Sequence, residues 1–181
     1  MTASRARCAA ALCVLLGLGA CGGDAPPAEP EAAARIRVVS PAFSEGARIP
    51  ARFTCEGANI SPPLAWRGPP AREHVLTVTD ADAGGFVHWV VYGLPGSTVG
   101  LREGRLPQGT RAGANGFGDT GYGGPCPPPG DGPHRYVFTL YGLDEPVAGD
   151  LAPGATLSEV LGAIDCCVVA KGNLSATFAR G

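Results

Sequence analysis

The features that mark several common protein classes are missing from this sequence. Lys171 is the only lysine and the formal net charge is -2 at pH 7, so the chain lacks the basic surface that binds nucleic acid. None of the three histidines stands in a His-Glu-x-x-His zinc spacing, and no Gly-x-Ser-x-Gly nucleophile elbow is present. We therefore expect no nucleic-acid partner and find no motif of these two hydrolase classes.

Glycine and proline, in contrast, are abundant. The 181 residues include 28 glycines and 18 prolines, which is too many for a helical protein. They follow no repeat period, so they indicate many turns between short strands. The length suits one domain, and the sequence predicts an all-β fold for it.

The N-terminal residues have the pattern of an export signal. Arg5 and Arg7 precede an apolar stretch, residues 8–18, that is too short to span a bilayer as a helix of the folded protein. Residues 18–21 (Leu-Gly-Ala-Cys) resemble a bacterial lipobox, in which Cys21 receives the lipid; an ordinary signal peptide with a chance cysteine is the alternative. We predict a signal peptide over 1–20, a lipidated N-terminus and disordered tether over 21–34, and a domain over 35–181 anchored to a membrane of the bacterial envelope.

Strand and helix patterns fill the predicted domain. Thr156 and Glu159 form the pattern of a capping box, followed by apolar residues at helical spacing that include Leu157 and Val168, so one short helix is expected late in the chain. Strands are predicted from β-branched and alternating residues over 36–39, 49–54, 74–79, 86–94, 134–143 and 173–179. The result is an antiparallel β-sandwich with long Gly/Pro-rich loops.

Polar side chains gather where these strands begin and end. Asp80 and Asp82 follow one strand, His88 lies near the start of the next, and His134 and Tyr136 open a third. Each has an ordinary explanation: the aspartates can accept turn N–H groups, and a lone histidine is more often a core residue. Together, however, they are the residue types that hold a small oxyanion, with Asp80 orienting a histidine. Backbone N–H groups of the glycines at 123–124 could add to such a site.

Several ordered motifs resemble the phosphatidylethanolamine-binding protein family, in particular its bacterial Raf-kinase-inhibitor-like branch. The likeness runs from about 38 to 180 and rests on the Asp-x-Asp-Ala loop before Val-His-Trp-Val-Val (80–91) and on Gly-Pro-Cys-Pro-Pro with His-Arg-Tyr-Val-Phe (124–138). Segments 40–43, 60–66 and 141–144 also match. The resemblance implies a β-sandwich with a small anion-binding cavity at one end. Its ligand-binding residues here would be Asp80, Asp82, His88, Pro127, Pro128, His134 and Tyr136.

The same resemblance bears on the cysteines. Cys55 and Cys126 stand where the bacterial branch often has cysteine, which implies a disulfide between them. Adjacent cysteines rarely bond to each other, so Cys166 and Cys167 are expected to be reduced or engaged elsewhere. Ala81 departs from the family, which usually has proline there.

Three functions fit these observations. The first is a lipid-anchored binding protein for a small anionic ligand or phospholipid headgroup, with a regulatory, inhibitor-like role. No catalytic reaction is general to the family, so no catalytic residue, cofactor or metal is expected. The second is a metal-dependent phosphoester hydrolase, since Asp and His also bind metals. The third is an interaction module that contacts a protein target and keeps a vestigial pocket.

Overall fold

Two β-sheets face each other in the protein, whose computed structural model describes residues 27–181. Numbered in chain order, the strands are β1 (Ala34–Arg35), β2 (Arg37–Val39), β3 (Leu64–Arg67), β4 (Glu73–Asp80), β5 (Phe86–Pro95), β6 (Gly100–Leu101), β7 (Arg111–Ala112), β8 (His134–Leu143) and β9 (Val168–Phe178). The larger sheet has the order β1-β9-β8-β4-β5-β7 and the smaller β2-β3-β6. All neighbouring strands are antiparallel except β1 and β9, which are parallel. The predicted sandwich is therefore confirmed, with one parallel pair added.

The large sheet buries apolar side chains on both of its faces. Trp89, Val91 and Phe138 belong to the core between the two sheets. Val90 and Tyr92 belong to a second core, which lies under α1 (Leu157–Ile164), the one α-helix among residues 27–181. This double burial explains why β5 is apolar along most of its length.

The predicted capping box of α1 is confirmed. The backbone N–H of Glu159 donates to Oγ1 of Thr156 at 3.3 Å, and the N–H of Thr156 donates to Oε2 of Glu159 at 2.8 Å. These bonds satisfy two donors that the first helical turn would leave unpaired. Residue 168, which we expected to continue the helical pattern, begins β9 instead.

The strand predicted over 49–54 is wrong. Ile49 makes one strand-like bond, in which its N–H donates to the carbonyl of Thr177 at 2.7 Å, and a 3-10 turn (Ala51–Phe53) follows. Pro50 explains the change, because it has no N–H for a ladder and its φ of -59° suits the start of a helical turn.

Cys166 and Cys167 are bonded to each other, contrary to our expectation. Their sulfur atoms are joined at the end of α1, where the chain turns into β9. The bond closes a ring of adjacent residues, so it links no distant parts of the fold.

The N-terminal strap, residues 27–33, rests on the large sheet. Lys171 donates from Nζ to Oε2 of Glu29 at 2.6 Å and to the carbonyl of Pro30 at 3.4 Å. Ala34 then pairs with Ala170, one residue before the domain boundary that we predicted. The signal peptide and Cys21 lie outside the described residues. In the part that is described, no helix has the length and apolar character needed to cross a membrane.

Candidate functional site

The polar residues singled out from the sequence gather at one end of the large sheet. The register places Asp80 opposite both Phe86 and Tyr136, so the end of β4 meets the starts of β5 and β8. A cavity of about 390 Å³ opens there, within the range typical of small-molecule sites. Five of the seven predicted ligand-binding residues line it, namely Asp80, His88, Pro127, Pro128 and His134.

Asp80 holds both a turn and a histidine. Its Oδ1 accepts hydrogen bonds from the N–H groups of Asp82 at 2.9 Å and Ala83 at 3.1 Å, while Oδ2 lies 2.8 Å from Nδ1 of His134. The side chain is almost fully buried, which strengthens these interactions. The turn role and the orienting role, which we treated as alternatives, therefore occur in the same carboxylate.

His134 is the cavity residue whose charged form is favoured. Its hydrogen bond to Asp80 is the main cause of a raised pKa, and the carboxylate of Asp131 raises it further. Nε2 lies 3.6 Å from Oδ2 of Asp131, which is too long for a hydrogen bond. Among the described residues, Nε2–H thus has no hydrogen-bonded acceptor and can donate to a ligand.

His88 has the opposite electrostatic character. Its Nδ1 lies 2.7 Å from the carbonyl of Gly123, and because a carbonyl only accepts, Nδ1 carries the proton. Burial lowers the pKa of His88 despite this bond and the nearby Asp80. The ring packs edge-on against Phe86, Phe117 and Tyr136 at centroid distances of 5.2, 5.4 and 5.1 Å. His88 is therefore a neutral wall of the cavity that holds a lone pair on Nε2.

A β-bulge directs His88 into the cavity. Val78 pairs with Trp89 and Thr79 pairs with Val87, which leaves His88 as an extra residue on β5. Simple alternation along the strand predicts that His88 shares a face with Phe86, Val90 and Tyr92. Phe86 does contact His88, but the prediction is wrong for Val90 and Tyr92, which pack under α1.

The remaining two predicted residues, Asp82 and Tyr136, lie outside the lining. Asp82 is exposed, and its Oδ2 accepts a hydrogen bond from the N–H of Arg135 at 2.7 Å. Tyr136 is fully buried, and no described residue is a hydrogen-bond partner of its hydroxyl. Burial, with the charge of Asp80, raises the pKa of that hydroxyl. Asp82 thus ties the turn to β8, and Tyr136 packs against the ring of His88.

The loop before β8 is tied to the rest of the domain. A disulfide joins Cys126 to Cys55, as the resemblance implies, with the Cα atoms 5.4 Å apart. The N–H of Gly123 donates to the carbonyl of His88 and that of Gly124 to Oδ1 of Asn59, each at 2.8 Å. These two N–H groups are occupied, so the anion-binding role that we considered for them is wrong. They position the cavity wall instead.

Apolar residues of the cavity went unnoticed in the sequence. Phe86 and Phe117 line it, with their ring centroids 4.9 Å apart, and Phe117 remains 47% exposed. The sequence pattern assigns Phe86 only to a strand. Phe117 lies in a glycine-rich loop where no periodicity indicates the direction of a side chain.

Two other features of the surface bear on function. Within residues 27–181, no group of three or more His, Cys, Asp and Glu side chains converges as a metal site would require. A larger groove, of about 560 Å³, crosses the outer face of the small sheet between Arg37 and Arg67. It contains none of the predicted site residues.

The chain belongs to the phosphatidylethanolamine-binding protein family, whose family model matches residues 39–179. The fold and the order of the motifs agree with this assignment. Family membership defines the architecture, whereas the side chains of the cavity determine which ligand fits.

Three relatives illustrate the similarity. The candidate lipoprotein LppC of Mycobacterium tuberculosis is 40% identical over an alignment of 189 positions that covers 93% of each chain. The crystal structure of CT736 of Chlamydia trachomatis, a homologue of phosphatidylethanolamine-binding protein, matches with a TM-score of 0.73 and 34% identity over 81% of this chain and 99% of that one. YbcL of E. coli, described as a member of the mammalian PEBP family, matches with a TM-score of 0.75 and 27% identity over the same shares.

Proposed function

We propose that the cavity binds a small phosphate-bearing group, in particular a zwitterionic headgroup of the phosphoethanolamine type. The pairing of His134 with the buried carboxylate of Asp80 carries this proposal. It supports a protonated imidazole whose Nε2–H can donate to a phosphate oxygen. The protein then binds its ligand and performs no reaction on it.

The charges around His134 favour a zwitterion over a simple anion. Asp80 balances the imidazolium, and the exposed Asp131 carboxylate lies 3.6 Å from its Nε2. A phosphate oxygen that approaches Nε2 therefore also approaches a carboxylate. An ammonium group on the same ligand would offset that repulsion by pairing with Asp131.

Lipidation of Cys21 would determine where in the cell this binding takes place. With the lipobox-like residues 18–21 and a relative named as a candidate lipoprotein, we propose that the chain is a lipoprotein of the bacterial envelope. Acyl groups on Cys21 would hold the domain at a membrane, where phospholipid headgroups are concentrated.

Ligand-induced stabilisation of the full chain tests the proposal. At 100 times its Kd, a ligand of the native state adds about 2.7 kcal/mol to the free energy of unfolding. We expect phosphoethanolamine to raise the Tm, more at pH 6 than at pH 8.5, and inorganic phosphate to raise it less. The effect should be lost in His134→Gln and kept in Arg105→Gln, which removes an exposed charge outside the cavity. A Tm that neither compound raises at pH 6 would refute the proposal.

A further inference from the structure

The N-terminal strap leaves the domain beside the cavity. Pro27 lines two shallow clefts together with Gly84 and Gly85, which continue the turn after Ala83, a residue of the cavity wall. Gly116 lines both one of these clefts and the cavity itself. Only the turn between β4 and β5 and the loop around Gly116 separate the strap from the ligand site.

Contacts further along the strap fix this exit point. Glu29 pairs with Lys171, Pro30 is buried, and Ala34 and Arg35 pair with β9. The strap therefore runs across the outer face of the large sheet toward the cavity end. Contacts with the domain therefore fix the path of the strap.

The chain length from this exit point to the lipid is short. Cys21 precedes Pro27 by six positions in the sequence. At about 3.3–3.6 Å per residue, the intervening chain reaches roughly 20 Å at most. The groove between Arg37 and Arg67 lies on the outer face of the small sheet, away from this exit point. An anchor on Cys21 therefore holds the cavity end closer to the membrane than the far face.

The cavity end of the protein suits a bilayer whose headgroups carry no net charge. Phe117 exposes about half of its side chain at the cavity rim, where an aromatic ring can enter the headgroup region. Asp82, Asp119 and Asp131 are exposed in the loops at this end, and Arg135 is exposed beside Asp82. These four side chains carry a net negative charge, which anionic lipids would repel and a layer of zwitterionic headgroups would accept.

We propose that the cavity mouth, formed by Phe117 and the turn 81–85, is the membrane-docking surface of this protein, and that the strap holds it against the bilayer that contains the lipid of Cys21. The cavity then takes headgroups from that bilayer and not from solution. This inference rests on the proposed function and on lipidation of Cys21.

Quenching by lipid tests this orientation. The lipidated full chain is reconstituted in vesicles of phosphatidylcholine and phosphatidylethanolamine that carry brominated acyl chains, which quench nearby tryptophan. Phe117→Trp is compared with Val99→Trp, which lies 71% exposed on the small-sheet side of the molecule. The native Trp66 and Trp89 are buried, so the parent protein supplies the background emission. We expect the Phe117→Trp emission to shift to shorter wavelength and to be largely quenched, and the Val99→Trp emission to change little.

A longer tether provides a second variant. Inserting about 20 Gly/Ser residues after residue 25 lets the domain leave the surface, so quenching of Phe117→Trp should fall. Equal quenching of both tryptophan variants, quenching of Val99→Trp alone, or a chain that does not stay with the vesicles would each overturn the orientation. Thermal shifts with soluble phosphoethanolamine separate the two proposals when they are measured on the parent protein in vesicles of phosphatidylcholine alone, where no phosphatidylethanolamine competes for the cavity. Shifts without quenching would refute the orientation alone, and quenching without shifts would refute the proposed ligand alone.

Discussion

Replacing Asp80 with asparagine should separate the two tasks of this side chain. The amide oxygen of the Asp80→Asn variant can still accept from the N–H groups of Asp82 and Ala83. Its NH₂ group, however, faces Nδ1 of His134, where the wild-type carboxylate accepts at 2.8 Å. Since two donors cannot bond, His134 has to present a bare Nδ1 and loses its preference for the charged form.

The loss of stability follows from the charge-assisted hydrogen bond between Asp80 and His134, which the substitution removes. A hydrogen bond between charged partners in a nearly buried site contributes about 1.5–3 kcal/mol, so we expect a loss of about 2 kcal/mol in the free energy of unfolding. The folded-state pKa of His134 is raised, so this contribution is fully present below its unfolded value of about 6.5 and declines as the pH rises through the folded value. The loss in Asp80→Asn should therefore be larger at pH 6 than at pH 9.

Urea unfolding at these two pH values and NMR titration of the histidine ring measure both effects. Asp131→Asn is the matched control, because that carboxylate is half exposed and 3.6 Å from the ring. Asp131→Asn should lower the pKa of His134 and the free energy of unfolding by less than Asp80→Asn does. An equal loss at pH 6 and pH 9, or a His134 titration midpoint that is unchanged in Asp80→Asn, would show that the pair does not set the charge of the cavity.

Three further variants test the frame around the site. Cys55→Ser with Cys126→Ser opens a loop of 71 residues and should cost about 4 kcal/mol in urea unfolding; a loss under 1 kcal/mol would mean that the loop is held by other contacts. Thr156→Ala removes the helix cap and should cost about 1 kcal/mol, measured the same way, whereas an unchanged midpoint would contradict the cap. Tyr136→Phe removes a hydroxyl without a hydrogen-bond partner among the described residues, so stability should change by less than about 1 kcal/mol; a larger loss would reveal a bond that we have not identified.

Local chemistry explains which parts of the fold were predictable from the sequence. The capping box at Thr156 was predictable, because its two bonds lie within four consecutive residues. The main strands were also predictable, since β-branched residues and alternation are local signals. Ile49 and its neighbours were not predictable, because apolar residues beside Pro50 fit a short strand and a 3-10 turn equally well.

Five of the seven residues predicted for the site line the cavity, but their geometry could not be predicted from the sequence. The resemblance pointed to Asp80 and His134, and the structure brings them within 2.8 Å. The bulge at His88 could not be foreseen, because it depends on the register between β4 and β5 and not on either strand alone. Phe117 was missed for a similar reason: its ring is positioned by contacts with Phe86 and His88 that no spacing in the sequence encodes.

The most direct test of the account is a crystal structure of the protein grown with phosphoethanolamine at pH 6. We expect the phosphate in the cavity, with one oxygen about 3 Å from Nε2 of His134 and the ammonium group toward Asp131. Density for the ligand in the groove between Arg37 and Arg67, with the cavity at His134 holding none, would contradict the central claim.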